Sequence, residues 1–362
     1  MSIAQSMSAN NEIIFMNRIP LLNEKTKLNS EWSNSFRIIE ATGIEYRPKS
    51  FFKRNFLKLF SFLFEYNKIL QLNNEKKIDW VNVYTQYFGI YFFYFLLSKI
   101  LHFKVILHYV EFRSKIKGRN ILYRINDYFF DNYAFSLCNK VIPISTFLNN
   151  RILKICPNNK TIIIPPICDF VFFDSIIPES TENRYLVYCG SANYDEVILF
   201  IIESYLKIKD KSNIDLHLII NGSITNPKIL ELIESNKNKI LIFSRLSYEH
   251  LIAKYKGSLA QLIPLRDTVQ DYARFPQKIC EYLASGRPIV TTNFGEIPNY
   301  FEDGKNAIVA SGFDTDTYSH KLQWVINNPN KLDRISKNSY ATGVKLFNTN
   351  SYILKLEKFI KT

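Results

Sequence analysis

Phe275, Pro276, Lys278, Glu281 and Gly286 surround a short apolar run that leads into Pro288-Ile289-Val290-Thr291-Thr292, and this set of residue types can hold a diphosphate. Proline suits the first position of a helix, Gly286 suits the left-handed stop, and Ile289-Val290-Thr291-Thr292 reads as a buried strand. The unpaired N–H groups where such a helix begins would face a ligand, and Lys278 adds positive charge there. A second small-residue turn, Gly190-Ser191-Ala192-Asn193, leaves an apolar strand and suits close approach to a phosphate. Arg266 and Arg274 bracket the stretch just before Phe275, where arginine can take phosphate in bidentate fashion, although solvated loop charges read equally well. Gly295-Glu296 follows the next strand, where a loop can point N–H groups and a carboxylate into a cleft. His108 closes another apolar strand and is followed by Glu111 and Arg113.

The stretch from Phe275 to Pro298 resembles the nucleotide-binding signature of the retaining glycosyltransferases of family 4, in their bacterial surface-polysaccharide branch. That branch writes the region as Phe-Pro-x-Lys-x-x-Glu-Tyr-Leu-Ala-x-Gly-Lys/Arg-Pro, then Gly-Glu-Ile-Pro. A weaker resemblance extends through Tyr188-Cys189-Gly190-Ser191 and Val141-Ile142-Pro143-Ile144-Ser145. It implies a GT-B fold, two Rossmann-like doubly wound α/β domains facing across a cleft. It also implies transfer of a sugar from a nucleoside-diphosphate donor to a glycan or lipid-linked glycan acceptor, with retention and without a metal. The nucleotide-sugar is then a co-substrate, and no cofactor is expected.

By the same resemblance Glu281 accepts hydrogen bonds from the ribose hydroxyls, with Lys278, Pro276, Phe275, Gly190, Ser191 and Arg266 around the nucleotide. Glu296, Gly295, Glu111 and Arg113 fall on the donor-sugar or acceptor side. His108 falls near the transferring sugar, though a lone histidine is as readily structural. The sequence departs from the family at two places. Ala273 stands where a first glutamate often precedes Glu281, and Tyr194 stands where a lysine often pairs with the diphosphate. These departures keep a second reading open, a catalytically degenerate GT-B protein that binds or scaffolds.

The elements that would position these residues alternate between strand-like and helical patterns, as in parallel βαβ units. In the first half the strand-like runs are 12–16, 80–84, 104–108, 140–144 and 161–165. In the second half they are 185–189, 216–220, 240–243, 259–263, 288–291 and 307–309. Three parts follow: an acceptor-side domain over 1–172, a nucleotide-sugar domain over 173–345, and a C-terminal helix over 346–362 that by resemblance crosses back to the first. Residues 1–10 resemble the tail of a helix and 12–16 the family's second strand, so the first strand and its glycine loop are expected to be missing.

At 362 residues the chain can bury two cores. Its five cysteines are scattered without C-x-x-C spacing, which argues against a disulfide framework and a zinc site. No Asp-x-Asp and no secretory pattern is visible, and a cytoplasmic location is expected. Residues 1–172 hold 23 Lys+Arg against 12 Asp+Glu, and residues 173–362 hold 23 against 21, so the basic excess lies in the first half. Nucleic acid is not expected as a partner, since no recognition motif accompanies the charge.

Residues 51–70 read as a basic amphipathic helix, with apolar side chains at 52, 56, 59, 60, 63, 66 and 70 and cations at 53, 54, 58 and 68. Such a helix can lie on the anionic inner leaflet of a membrane or pack on its own sheet. The apolar run 87–97 is too short to span a bilayer and reads as a buried crossover helix.

Overall fold

The computed structural model describes residues 11–18, 37–44, 46–116, 118–209 and 213–361. Residues 1–10, expected as a helix tail, and the side chain of Leu59 lie outside the described residues.

The second domain is one six-stranded parallel sheet. Its strands are β7 (Arg184–Ser191), β8 (Ile214–Asn221), β9 (Ile240–Phe243), β10 (Ala260–Ile263), β11 (Ile289–Thr292) and β12 (Ile308–Ala310), in the order β12-β11-β10-β7-β8-β9. Seven of the eight residues of β8 are buried, as a strand covered on both faces requires. One face packs Leu216 and Leu262 against Ile201, Tyr205 and Tyr318 from the helices Asp195–Leu206 and Thr315–Asn327. The other packs Val187 and Ile289 against Tyr255, Ile279 and Leu283 from Tyr248–Gly257 and Lys278–Ala284. The chain runs outward from β7 through β8 to β9, then returns to β10 on the other side of β7. That reversal opens a crevice at the carboxyl ends of β7 and β10, the place where doubly wound sheets bind ligands.

The first domain holds β3 (Trp80–Val83), β4 (Lys104–Tyr109), β5 (Lys140–Pro143) and β6 (Lys160–Thr161), parallel and in sequential order. β1 (Ile14–Asn17) and β2 (Arg37–Glu40) form a separate parallel pair among the described residues. β2 carries a Glu-flanked Ile pair too short to be noticed in the sequence. The run 161–165 was expected as a full strand; the regular strand is Lys160–Thr161, yet Ile162 N–H still donates to the Val141 carbonyl at 3.3 Å and Ile164 N–H to the Pro143 carbonyl at 3.2 Å, until Pro165 and Pro166 end the pairing.

Two further expectations change. The helix Phe88–Leu101 does connect β3 to β4, yet it is not buried throughout: Tyr91, Tyr94 and Leu97 face inward while Phe92, Leu96 and Ile100 are exposed. The helix expected to start at Pro276 starts at Lys278 and has 7 residues. Pro276 and Gln277 instead form a preceding turn, and the Ile279 N–H is taken by the Pro276 carbonyl at 3.1 Å. Gly286, at φ +74, supplies the left-handed stop.

The chain crosses between domains at two adjacent segments. Cys168 N–H donates to the Phe347 carbonyl at 3.0 Å and Thr349 N–H to the Cys168 carbonyl at 3.1 Å. Beyond this crossing the helix Ile353–Lys361 lies on the first domain, with Leu356 packed against Ile106 and Ile142. Buried Lys140 donates to the carbonyls of Phe359 and Ile360, the latter at 2.9 Å, and so closes the end of that helix.

Candidate functional site

The turn that follows β7 stands at the switch point. Gly190 is required there because a Cβ would fall 2.2 Å from the Tyr188 hydroxyl, whose ring folds over this position. Ser191 Oγ accepts from Asn193 N–H at 3.3 Å and its carbonyl accepts from Tyr194 N–H at 3.1 Å, which tightens the turn into the helix Asp195–Leu206.

On one side of this turn lies the short helix Lys278–Ala284. The buried Tyr282 hydroxyl accepts from Cys189 N–H at 3.0 Å and docks the helix on the end of β7. Glu281 accepts from the Tyr248 hydroxyl at 3.5 Å and makes no other side-chain hydrogen bond among the described residues. Burial raises its carboxyl above the ordinary value, opposed by the Lys278 charge and the Tyr248 hydrogen bond.

On the other side stand two arginines held by one carboxylate. Asp271 is fully buried and pairs with Arg266 Nε at 3.0 Å and with Arg274 Nη2 at 2.5 Å. Arg266 also reaches Glu196 at 2.8 Å, and these carboxylates push its guanidinium further above its already high value than burial pulls it down. Arg274 lies 4.7 Å over the Tyr194 ring and donates to its hydroxyl at 2.6 Å. Tyr194, which replaces the expected lysine, is therefore the platform for a cation from another element. The structure thus brings Gly190, Ser191, Lys278, Glu281, Arg266 and Arg274 to one crevice.

Other expected site residues lie elsewhere. Phe275 is buried against Tyr300 and Phe347, so it anchors the second core instead of touching a nucleotide. Pro276 forms the turn beside it. Glu296 does not face the crevice: it is 2 % exposed and accepts from Thr146 N–H at 2.7 Å and from Asn299 Nδ2 at 3.1 Å. A second-domain carboxylate thereby caps the first-domain helix Thr146–Ile155. Gly295, at φ +61, is needed because a Cβ would sit 2.5 Å from the Asp271 carbonyl. Ala273 is fully buried against the first domain, and its carbonyl receives Ser145 Oγ at 2.6 Å. A glutamate at 273 would be forced into that dry contact.

In the first domain Arg113 is buried, with Nε 3.0 Å from Asp127 Oδ1 and Nη1 3.2 Å from Glu111, and Asp127 also holds Arg119. This is a structural ion-pair cluster, from which Glu111 and Arg119 are partly open to solvent. His108, at the end of β4, is 7 % exposed beside Tyr84, and its Nε2 has no hydrogen-bond partner. Burial pushes its pKa down to about 4, so the ring is neutral at pH 7.

Two site features escaped the sequence. Asp271 is signalled only by its spacing between the two arginines. Tyr248 begins a helix capped by Ser247 and carries no chemical pattern of its own.

Residues 172–342 match the family described as glycosyl transferases group 1. That match falls on the second domain. The whole chain has the GT-B fold. It superimposes on sucrose-phosphate synthase from Thermosynechococcus elongatus with TM-score 0.74 at 14 % identity, covering 99 % of this chain and 90 % of that one. A glycosyltransferase from Rickettsia africae gives 0.69 at 16 % identity, covering 99 % and 93 %. Anabaena HepE in complex with UDP and glucose gives 0.67 at 11 % identity, covering 97 % and 99 %. No curated protein matches the chain.

Proposed function

We propose that the chain is a retaining glycosyltransferase of family 4 that moves a sugar from a nucleoside diphosphate to a glycan or lipid-linked glycan in surface polysaccharide synthesis. The observation that carries this reading is the pairing, around one turn at the switch point, of a half-buried carboxylate (Glu281) on one side with two arginines on the other. The UDP held by HepE, of the same fold, agrees with it.

Glu281 takes the ribose hydroxyls, whose donated hydrogen bonds replace the water its carboxylate lacks. Lys278, Arg266 and Arg274 face the diphosphate. When the bond between the anomeric carbon and the phosphate oxygen breaks, its electron pair leaves with the diphosphate, and these fixed cations stabilise the charge where it grows. The chain's own cations, without a metal, carry this role in the proposal. The acceptor hydroxyl attacks the face the leaving group vacates, and its proton passes to a departing phosphate oxygen. Neutral, buried His108 borders the sugar as a wall and not as a proton donor.

The chain is peripheral at an anionic inner-leaflet surface in this reading, and no helix of the described residues is long and apolar enough to cross a membrane. Thermal unfolding with UDP, GDP and ADP tests the donor site, since a nucleotide that binds only the folded chain must raise Tm. NMR of the product anomer tests retention. No shift with any nucleotide sinks the proposal, and a shift without transfer selects the scaffold reading that Ala273 suggests.

A further inference from the structure

The helix Phe51–Glu75 does not turn its apolar row to the sheet. Its buried positions are Leu57, Ser61, Glu65, Ile69 and Leu72, a narrow stripe with a carboxylate in the middle. Glu65 is satisfied there by the Tyr94 hydroxyl and Arg18. The row Phe52, Phe56, Phe60 and Leu63 points outward, at 83, 54, 36 and 59 % exposure. Packing on its own sheet therefore does not account for these aromatics.

Two more helices continue the same layer. Ring pairs Phe62 with Phe93 at 5.1 Å and Phe88 with Phe129 at 5.5 Å place Phe51–Glu75, Phe88–Leu101 and Ile121–Tyr133 side by side. The second and third helices link the parallel strands β3, β4 and β5, and the first ends with Glu75 paired to Arg37 at the start of β2, so each runs back against a strand and begins toward its carboxyl edge. The cleft opens at that edge. Large exposed apolar residues crowd these beginnings: Phe51, Phe52 and Phe56 on the first helix, Tyr87 before the second, Ile121 and Leu122 on the third.

The charge at this rim has one sign. None of the three helices carries an acidic residue in its first turn. Lys53, Arg54 and Lys58 interleave the first row and Arg124 is exposed on the third helix, while Arg119, over the Tyr123 ring, is already paired with Asp127. Three helix amino ends add their positive dipoles. A symmetric second copy would bring like charge against like charge, whereas lipid phosphates would meet these cations while acyl chains take the rings.

We propose that this rim is a docking surface for an anionic bilayer, with the mouth of the cleft opening onto the lipid surface. It deepens the acceptor side of the function proposed above and rests on that reading only there, because vesicle binding and nucleotide binding are measured separately. The full chain is sedimented with vesicles of phosphatidylcholine alone and with about one third phosphatidylglycerol. The expected result is binding to the anionic vesicles that weakens with salt, falls about tenfold in the double variant Phe52→Asp, Leu122→Asp, and loses its salt dependence in Lys53→Gln, Arg54→Gln, Lys58→Gln. Both positions in the first variant are highly exposed, so its nucleotide-induced Tm shift should equal that of the parent. Binding to neither vesicle, or equal binding by parent and the aspartate variant, overturns the proposal. So does a concentration-dependent dimer that Leu122→Asp abolishes, which would assign the face to a second copy.

Discussion

At the scale of the residue, Glu281 carries a cost that its role explains. Burial raises its carboxyl above 4.5, so the folded chain binds the proton more tightly than the unfolded one, and stability falls as pH rises through that window. At neutral pH the ionised group is a destabilising feature that a ligand's hydroxyls would offset. Glu281→Gln is therefore expected to raise Tm in the absence of ligand while weakening nucleotide binding about tenfold, since a hydrogen bond to a charged group is worth roughly 1.5 to 3 kcal/mol. Calorimetry showing equal affinity in both proteins would remove Glu281 from the site. His108 has the opposite sign. Its pKa is held down to about 4, below the 6.5 of a free imidazole, so the stability it contributes is complete above that value and is lost as pH falls from 6.5 towards 4. His108→Phe should flatten this acid limb of the melting curve, leaving the part due to His217, which burial also pushes to about 4. Parallel pH curves for parent and variant would contradict the burial account.

At the scale of the element, the segment between β10 and the helix Lys278–Ala284 is organised by Asp271. It receives Arg266 N–H at 2.8 Å as well as both guanidinium groups. Removing one partner of a buried ion pair is costly because the other charges remain, so Asp271→Asn should lower stability by about 3 kcal/mol in urea unfolding. Arg274→Ala should lower stability by less, because Arg266 still pairs with Asp271, and weaken a nucleoside diphosphate at least about tenfold while sparing the nucleoside, because only the phosphates reach it. If both ligands lose affinity equally, Arg274 acts through Tyr194 packing and not through charge.

At the scale of the whole molecule, the two domains are joined by contacts as well as by chain. Ser145 meets Ala273, and Thr146 meets Glu296. Loss of a helix cap costs about 1 kcal/mol, and this cap also ties one domain to the other. Glu296→Ala is expected to lower stability by about that amount and to raise the radius of gyration of the nucleotide-free chain in X-ray scattering. Unchanged scattering would show that Ala273 and the crossing at Cys168 and Phe347 suffice. The second core also reaches past the boundaries expected from sequence, since Phe170 and Phe347 are buried in it. A fragment limited to residues 173–345 would lose both rings.

The sequence by itself determined the parallel α/β architecture, because strands covered on both faces read as short, nearly continuous apolar runs, and residues 185–189, 216–220, 240–243 and 288–291 are such runs. It also determined the helix stop at Gly286 and singled out Lys278 and Glu281 through a local motif whose residues act within two turns of each other. It did not reveal that Glu296 faces the first domain, that Phe275 is core, or that Ala273 is buried at the interface, because burial there depends on segments far away in the chain. The partnership of Tyr194 with Arg274 spans 80 residues and exists only once β7 and β10 are neighbours. The outward turn of Phe52, Phe56 and Leu63 was likewise a tertiary decision. An amphipathic pattern states which residues share a face of a helix, and only the neighbouring elements state which face is covered.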